Sequence, residues 1–452
     1  INFCMTNPMK AKPLAWNSQE MTALAAYITA NSKESARPMM NPCTMKNPCA
    51  PKNPCGMMKL GMRSVLLRIL ALSLSFTAAA PVFAVGEMAA VNEHWNRPVD
   101  TGDSIPADNL YPEKCGLCHR EQYNDWKEAL HSKSIGPGLL AQLQPLKDPE
   151  TATSCYFCHA PLKAQNEALS GVSKSGETAF LSNSSYDERL KLSGVNCAAC
   201  HVRRSGVAGP PMPVSADLKQ GIKAGHDSVQ NIFFEDAEFC AACHQLDNGY
   251  ELSGKLLVNT DMEWKESEYA ERNITCQSCH MPGRRHLFRG IHDQEMVRNG
   301  LSFDLKSTNG PESVNATLKI TNSGVGHFFP TYATALVVIR GFLTDSKGNA
   351  IKGTVKEAEI GRKVTLDLET ELFDTRIPPF RNFEFNYEMT RVKKAGRLVL
   401  EVRVFPDEFY GRFFESAAKR QDPAMRLRDL GEAIRNASES SYLLYKKIVE
   451  LK

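Results

Sequence analysis

No cysteine follows Cys279, and between residues 85 and 452 none lies outside five closely spaced pairs. A framework of structural disulfides there would have to dismantle those pairs, so it is excluded. The chain also lacks runs of like charge, which leaves no footprint for nucleic acid. Apolar runs long enough to cross a bilayer, about 20 residues, are missing too. The best stretch is shorter and lies in 58–84.

That stretch, "MKLGMRSVLLRILALSLSFTAAAPVFA", has basic residues first (Lys59, Arg63, Arg68), then an apolar run, then small residues with Val82 and Ala84 at the cleavage positions. It reads as a secretory signal, or as an anchor if left uncleaved. Export is expected, to the periplasm, the cell exterior or the membrane surface. Upstream, 17–30 resembles the C-terminal helix of a small cytochrome c, with Asn17 and Glu20 as a capping box. "NPCTMKNPCAPKNPCG" is a Pro/Cys low-complexity tract. The expectation is that 1–57 is a gene-model extension. The net charge of +3 comes from the front end: nine Lys/Arg and two Asp/Glu precede residue 85, leaving 45 basic and 49 acidic residues beyond it.

The five pairs share one form, each followed at once by histidine: Cys115-Cys118-His119, Cys155-Cys158-His159, Cys197-Cys200-His201, Cys240-Cys243-His244 and Cys276-Cys279-His280. The spacing has a chemical cause. Two thiols separated by two residues can each bond one vinyl group of a haem. The next histidine then lies under the ring and can bind iron. Zinc needs pairs of pairs and has no use for a histidine at the very next residue. A redox C-x-x-C calls for one motif in a βαβ setting. Five covalently bound haem c groups are therefore expected, with the five triplet histidines as proximal ligands. Side chains alone make a thin core over 95–300, and porphyrins would supply the missing apolar mass.

The sixth iron ligand decides between carrying electrons and doing chemistry. Six histidines remain for five sites: His94, His131, His226, His286, His292 and His327. All six are candidates for the distal position. Tyr123, Trp126, Leu130 and His131 share one face of an expected short helix. His286 and His292 flank "LFRGI", and His327 sits in the loop "GVGHFFPTY". Met212, Met262 and Met296 are alternative ligands. No catalytic residue is assigned.

Beyond residue 300 the period changes to two. "SVNATLKITN", "ALVVIRGFLTDSKGNAI", "FEFNYEM" and "RLVLEVRV" read as strands of an antiparallel β-sandwich of about seven strands. "DPAMRLRDLGEAIRNASESSYLLYKKIVEL" reads as one terminal helix, with Asp422 as cap and Pro423 in its first turn. The aromatic cluster Phe409, Tyr410, Phe413 and Phe414 before it reads as core. The expected fold class is α+β multidomain: a mostly helical or irregular haem-packed domain over 85–300, a β-sandwich over 301–406 and a helical segment over 407–452.

"EQYNDWKEALHSKS", "VNTDMEWKESEYAERNITCQSCHMP", "RRHLFRGIHD", "GHFFPTY" and "VRVFPDEFYGRFFE" together resemble multihaem c-type cytochromes related to the tetrahaem electron-transfer cytochrome of nitrifiers. The resemblance covers about 95–415. It implies electron transfer by bis-histidine haems, with distal ligation by His131, by His327 and by His286 or His292. Redox proteins are the expected partners: other cytochromes, a quinol-oxidising complex or a terminal reductase. Two alternatives stand beside the carrier. One is a haem enzyme of the nitrite or hydroxylamine type with one open axial site. The other is a homo-oligomer or extracellular filament in which His94 ligates a neighbour's iron.

Overall fold

The computed structural model describes residues 94–451, except 103–104, 145–148, 174–175, 177, 212–225, 248 and 421–426. The expectations for 1–57, the signal segment, Met212, Asp422 and Pro423 lie outside the described residues.

Residues 94–300 form a region of short helices, turns and three small sheets of two or three strands. Each triplet sits at the end of a helix or within one turn of it. Helix α1 (Pro112–Gly116) carries Cys115, and His119 precedes α2 (Arg120–Glu128). The other four triplets close α3 (Pro149–His159), α4 (Cys197–His201), α5 (Glu238–His244) and, after α6 (Thr260–Lys265), α7 (Cys276–His280). One helical turn is the natural carrier, because thiols three residues apart then project from the same side. The core here is broken into small clusters. One gathers Leu110, Leu162, Leu190 and Val202; another holds Ile135, Leu143, Tyr156 and Ala160.

The second region is built on eight strands: β1 (Leu301–Asn309), β2 (Ser313–Asn322), β3 (Leu336–Thr344), β4 (Lys356–Val364), β5 (Glu371–Asp374), β6 (Asn382–Thr390), β7 (Arg397–Phe405) and β8 (Tyr442–Glu450). They form two sheets, β5-β4-β3-β7-β8 and β6-β2-β1, with every pairing antiparallel. Alternation drives the packing. Val314, Ala316, Leu318 and Ile320 of β2 point inward with Phe385 and Tyr387 of β6, against Ile339, Ile360, Leu400 and Val402 of the larger sheet. This is the one large continuous core among the described residues, and it matches the sandwich expected from period two.

Two expectations need correction. The terminal segment is not one helix. Helix α8 (Glu408–Arg420) and helix α9 (Leu427–Glu439) are followed by β8, which pairs along β7. The free edge of β7 captures the chain, so tertiary pairing overrides the helix-friendly Leu, Lys and Glu of 443–450. Residues 407–452 therefore do not form a separate helical segment. Phe414 does enter a core, with Ala417, Leu430 and Ala433 against Ala141 of the triplet region. The second correction concerns His131. Ala129 is extended and ends α2, so His131 lies in a separate 3-10 turn, Leu130–Lys133.

Charged groups join the two regions. Arg362 of β4 is 1 % exposed; its guanidinium donates to the carbonyls of Leu252, Lys255 and Leu256 at 2.5–3.0 Å and to Glu371 at 2.7 Å. Lys255 in turn meets Glu371 and Asp374 at 2.8 Å each. Buried Glu263 of α6 pairs with Arg376 at 2.8 Å.

Candidate haem-attachment sites

The structure sets four histidines opposite four triplet histidines. Ring centroids lie 6.2 Å apart for His119 and His226, 6.1 Å for His201 and His286, 6.3 Å for His244 and His131, and 6.4 Å for His280 and His327. Partners come from far along the chain, and His327 arrives on the β2–β3 loop. Among the described residues no imidazole stands in this relation to His159. Of the six candidates, His94 and His292 are not opposite any triplet histidine.

Nitrogen by nitrogen, the hydrogen bonds explain that division. Nδ1 contacts a backbone carbonyl in His159 (Ser134, 3.1 Å), His201 (Ala208, 2.8 Å), His280 (Arg289, 2.5 Å), His226 (Asp227, 3.1 Å), His286 (Arg284, 3.1 Å) and His327 (Phe328, 2.9 Å). A carbonyl only accepts, so Nδ1 carries the hydrogen and Nε2 keeps its lone pair for a metal. His244 uses Nδ1 as well, with the Tyr332 hydroxyl as partner. His94 does the reverse: its Nε2 bonds the Cys200 carbonyl at 3.1 Å, inside a box of Trp95, Phe233, Phe234 and Phe239. The Nε2 of His292 meets the Asp407 carboxylate at 2.9 Å. Both spend the nitrogen that a metal would need. Met262 is 42 % exposed, out on the surface.

Burial favours the neutral form, the one that binds metal, in the buried members of these pairs. It lowers His131 to about 3 and His201, His244 and His327 to about 4, with neighbouring imidazoles adding to the effect. His159, His280 and His286 shift down for the same leading reason.

Anchors hold these rings in place, and sequence reasoning had not singled them out. Asp125 accepts two bonds from the Arg285 guanidinium, at 2.5 and 2.6 Å, and one from the His286 amide at 3.1 Å. Glu263 accepts from the Phe328 amide at 3.1 Å, next to His327. No local motif marks such pairs, because each joins residues tens of positions apart.

The sites also touch one another. Sγ atoms of Cys115 and Cys197, of Cys158 and Cys243, and of Cys240 and Cys276 are hydrogen-bond neighbours. Phe288 lies between His131 and His286, at 4.4 and 5.7 Å between ring centroids.

Residues 114–202, spanning the first three triplets, match the family model "Cytochrome c554 and c-prime". Cytochrome c-554 of Nitrosomonas europaea is 28% identical over 164 residues, 32% of this chain and 61% of that protein. Together with the solved structure below, these likenesses support a multihaem c-type cytochrome. The match thus spans less than two thirds of that relative's length. The solved penta-heme cytochrome c552 from Thermochromatium tepidum covers 76% of this chain and 98% of its own, with a TM-score of 0.51 and 18% identity, a likeness of fold. Likeness to this family supports covalently bound haem. No helix among the described residues is long and apolar enough to cross a membrane.

Proposed function

We propose that this cytochrome is an exported pentahaem electron carrier with four bis-histidine sites and one site, at His159, that lacks a second imidazole. The observation that carries this reading is the set of four ring pairs at 6.1–6.4 Å. An iron held about 2 Å from a nitrogen of each imidazole puts their centroids roughly 6 Å apart. The hydrogen-bonded Nδ1 atoms favour the same arrangement. Distal roles fall to His226, His286, His131 and His327, in the order of the first, third, fourth and fifth triplets.

Bound haem supplies a one-electron iron couple. The chain's contacts join the first site to the third through Cys115 and Cys197, the third to the fourth through Phe288, and the fourth to the second and fifth through its two cysteines. Redox proteins are the partners this arrangement serves. Buried His94 argues against the filament reading, because its ring would have to leave an aromatic box to reach a neighbour. The lone His159 favours a second reading, small-molecule chemistry at that one iron.

Electron paramagnetic resonance and optical spectra of the ferric protein test both. Four low-spin haems and one high-spin haem are expected, with five haems by mass. A high-spin signal that changes with nitrite or hydroxylamine would favour the enzyme. Five low-spin haems would remove it, and three or fewer would sink the pairing.

A further inference from the structure

We propose that Tyr332 is a positioning residue that sets the electron affinity of the fourth site through its bond to His244. The proposal rests on the reading of His244 as an iron ligand.

The fourth site differs from the second, third and fifth in one atom. The Nδ1 groups of His159, His201 and His280 face backbone carbonyls, acceptors that any residue type would provide. That of His244 faces a side-chain hydroxyl brought in by the β2–β3 loop, 88 residues away. The phenol ring also lies nearly parallel to the imidazole, at 14° and 6.3 Å between centroids. Evolution can delete this acceptor by one substitution; it cannot delete a carbonyl.

The hydroxyl belongs to a longer chain of bonds. It hydrogen-bonds Thr260, whose Oγ1 lies 2.9 Å from that of Thr331. Thr331 donates to Glu263 Oε2 at 2.8 Å, and Glu263 Oε1 accepts from Arg376 at 2.8 Å. When Tyr332 accepts from His244, its own hydrogen is free for Thr260. Each bond polarises the next, so the string ending in a buried ion pair makes the phenol oxygen a better acceptor. An acceptor on Nδ1–H makes the opposite nitrogen more basic. That favours ferric over ferrous iron and lowers the reduction potential. The fourth site is also the one whose contacts reach three others, so its potential governs how electrons divide among them.

Potentiometric titration followed by optical spectra tests this. Tyr332→Phe should move one midpoint positive while the low-spin count and the haem mass stay unchanged. Thr260→Val, which removes only the second bond of the string, should move the same midpoint the same way by less. Unchanged midpoints in fully loaded Thr260→Val and Tyr332→Phe would overturn the proposal. So would loss of a low-spin haem in Tyr332→Phe with no shift in Thr260→Val, which marks a structural role. If Tyr332→Phe does not fold, the presence or absence of a shift in Thr260→Val decides alone. The ligand reading fails separately, if His244→Ala leaves the low-spin spectrum intact.

Discussion

At the scale of the residue, the chemistry turns on which nitrogen of each histidine is already engaged. Asp125 shows how the backbone that carries such a ring is held. It holds the segment that carries His286 through Arg285 and through the His286 amide itself. Asp125→Ala should release His286 and convert part of one low-spin haem to high-spin, seen by electron paramagnetic resonance. The same variant should lose about 1–2 kcal/mol in denaturant unfolding, less than a buried charged bond because Arg285 is 43% exposed. Asp125→Asn should keep more of the low-spin signal, since an amide oxygen still accepts. The cysteines and triplet histidines were legible from spacing alone. The histidines set opposite four of the triplets are legible from composition only within a pool of six, which the family resemblance narrows to His131, His327 and one of His286 or His292. Nothing near His94 or His292 in the sequence says that a carbonyl or Asp407 occupies its Nε2. Such facts depend on contacts made across more than a hundred residues.

At the scale of the element, the strands with clean alternation were readable because one face of each is buried. β8 was not. Only Leu444 of its nine residues is fully buried, so its inward face leaves little trace against a run of good helix formers. Its identity comes from pairing with β7, from Arg397 opposite Glu450 to Val404 opposite Tyr442. Leu444→Ala should therefore cost about 2–4 kcal/mol in the unfolding of the β-region, by lost burial and a residual cavity. Ile448→Ala, on the exposed side of the same strand, should stay within about 0.5 kcal/mol. A helix in this place would give no such contrast. Thermal or urea unfolding followed by far-ultraviolet circular dichroism reads both. The break at extended Ala129 leaves no mark in the sequence for a related reason: alanine is the best helix former.

At the scale of the molecule, the two regions are held by different means. The sandwich owns a continuous core that side chains alone complete, from Val297 to Leu444. The triplet region has separate small clusters instead. Protein made without haem attachment should show slow amide hydrogen exchange in β1–β8 and fast exchange over most of 94–300. Comparable protection in both regions would mean that the polypeptide shapes its own pockets without help. The division into a helical front and a β-rich back was plain from the change of period near residue 300. The charged seam of Arg362, Lys255, Glu371, Glu263 and Arg376 was not, because ion pairs between distant residues leave no periodic mark.

One loop of the sandwich, between β2 and β3, delivers both His327 to the fifth triplet and Tyr332 to the fourth. Under the proposed assignment, a displacement of that one loop would bear on the fourth and fifth haem sites at once.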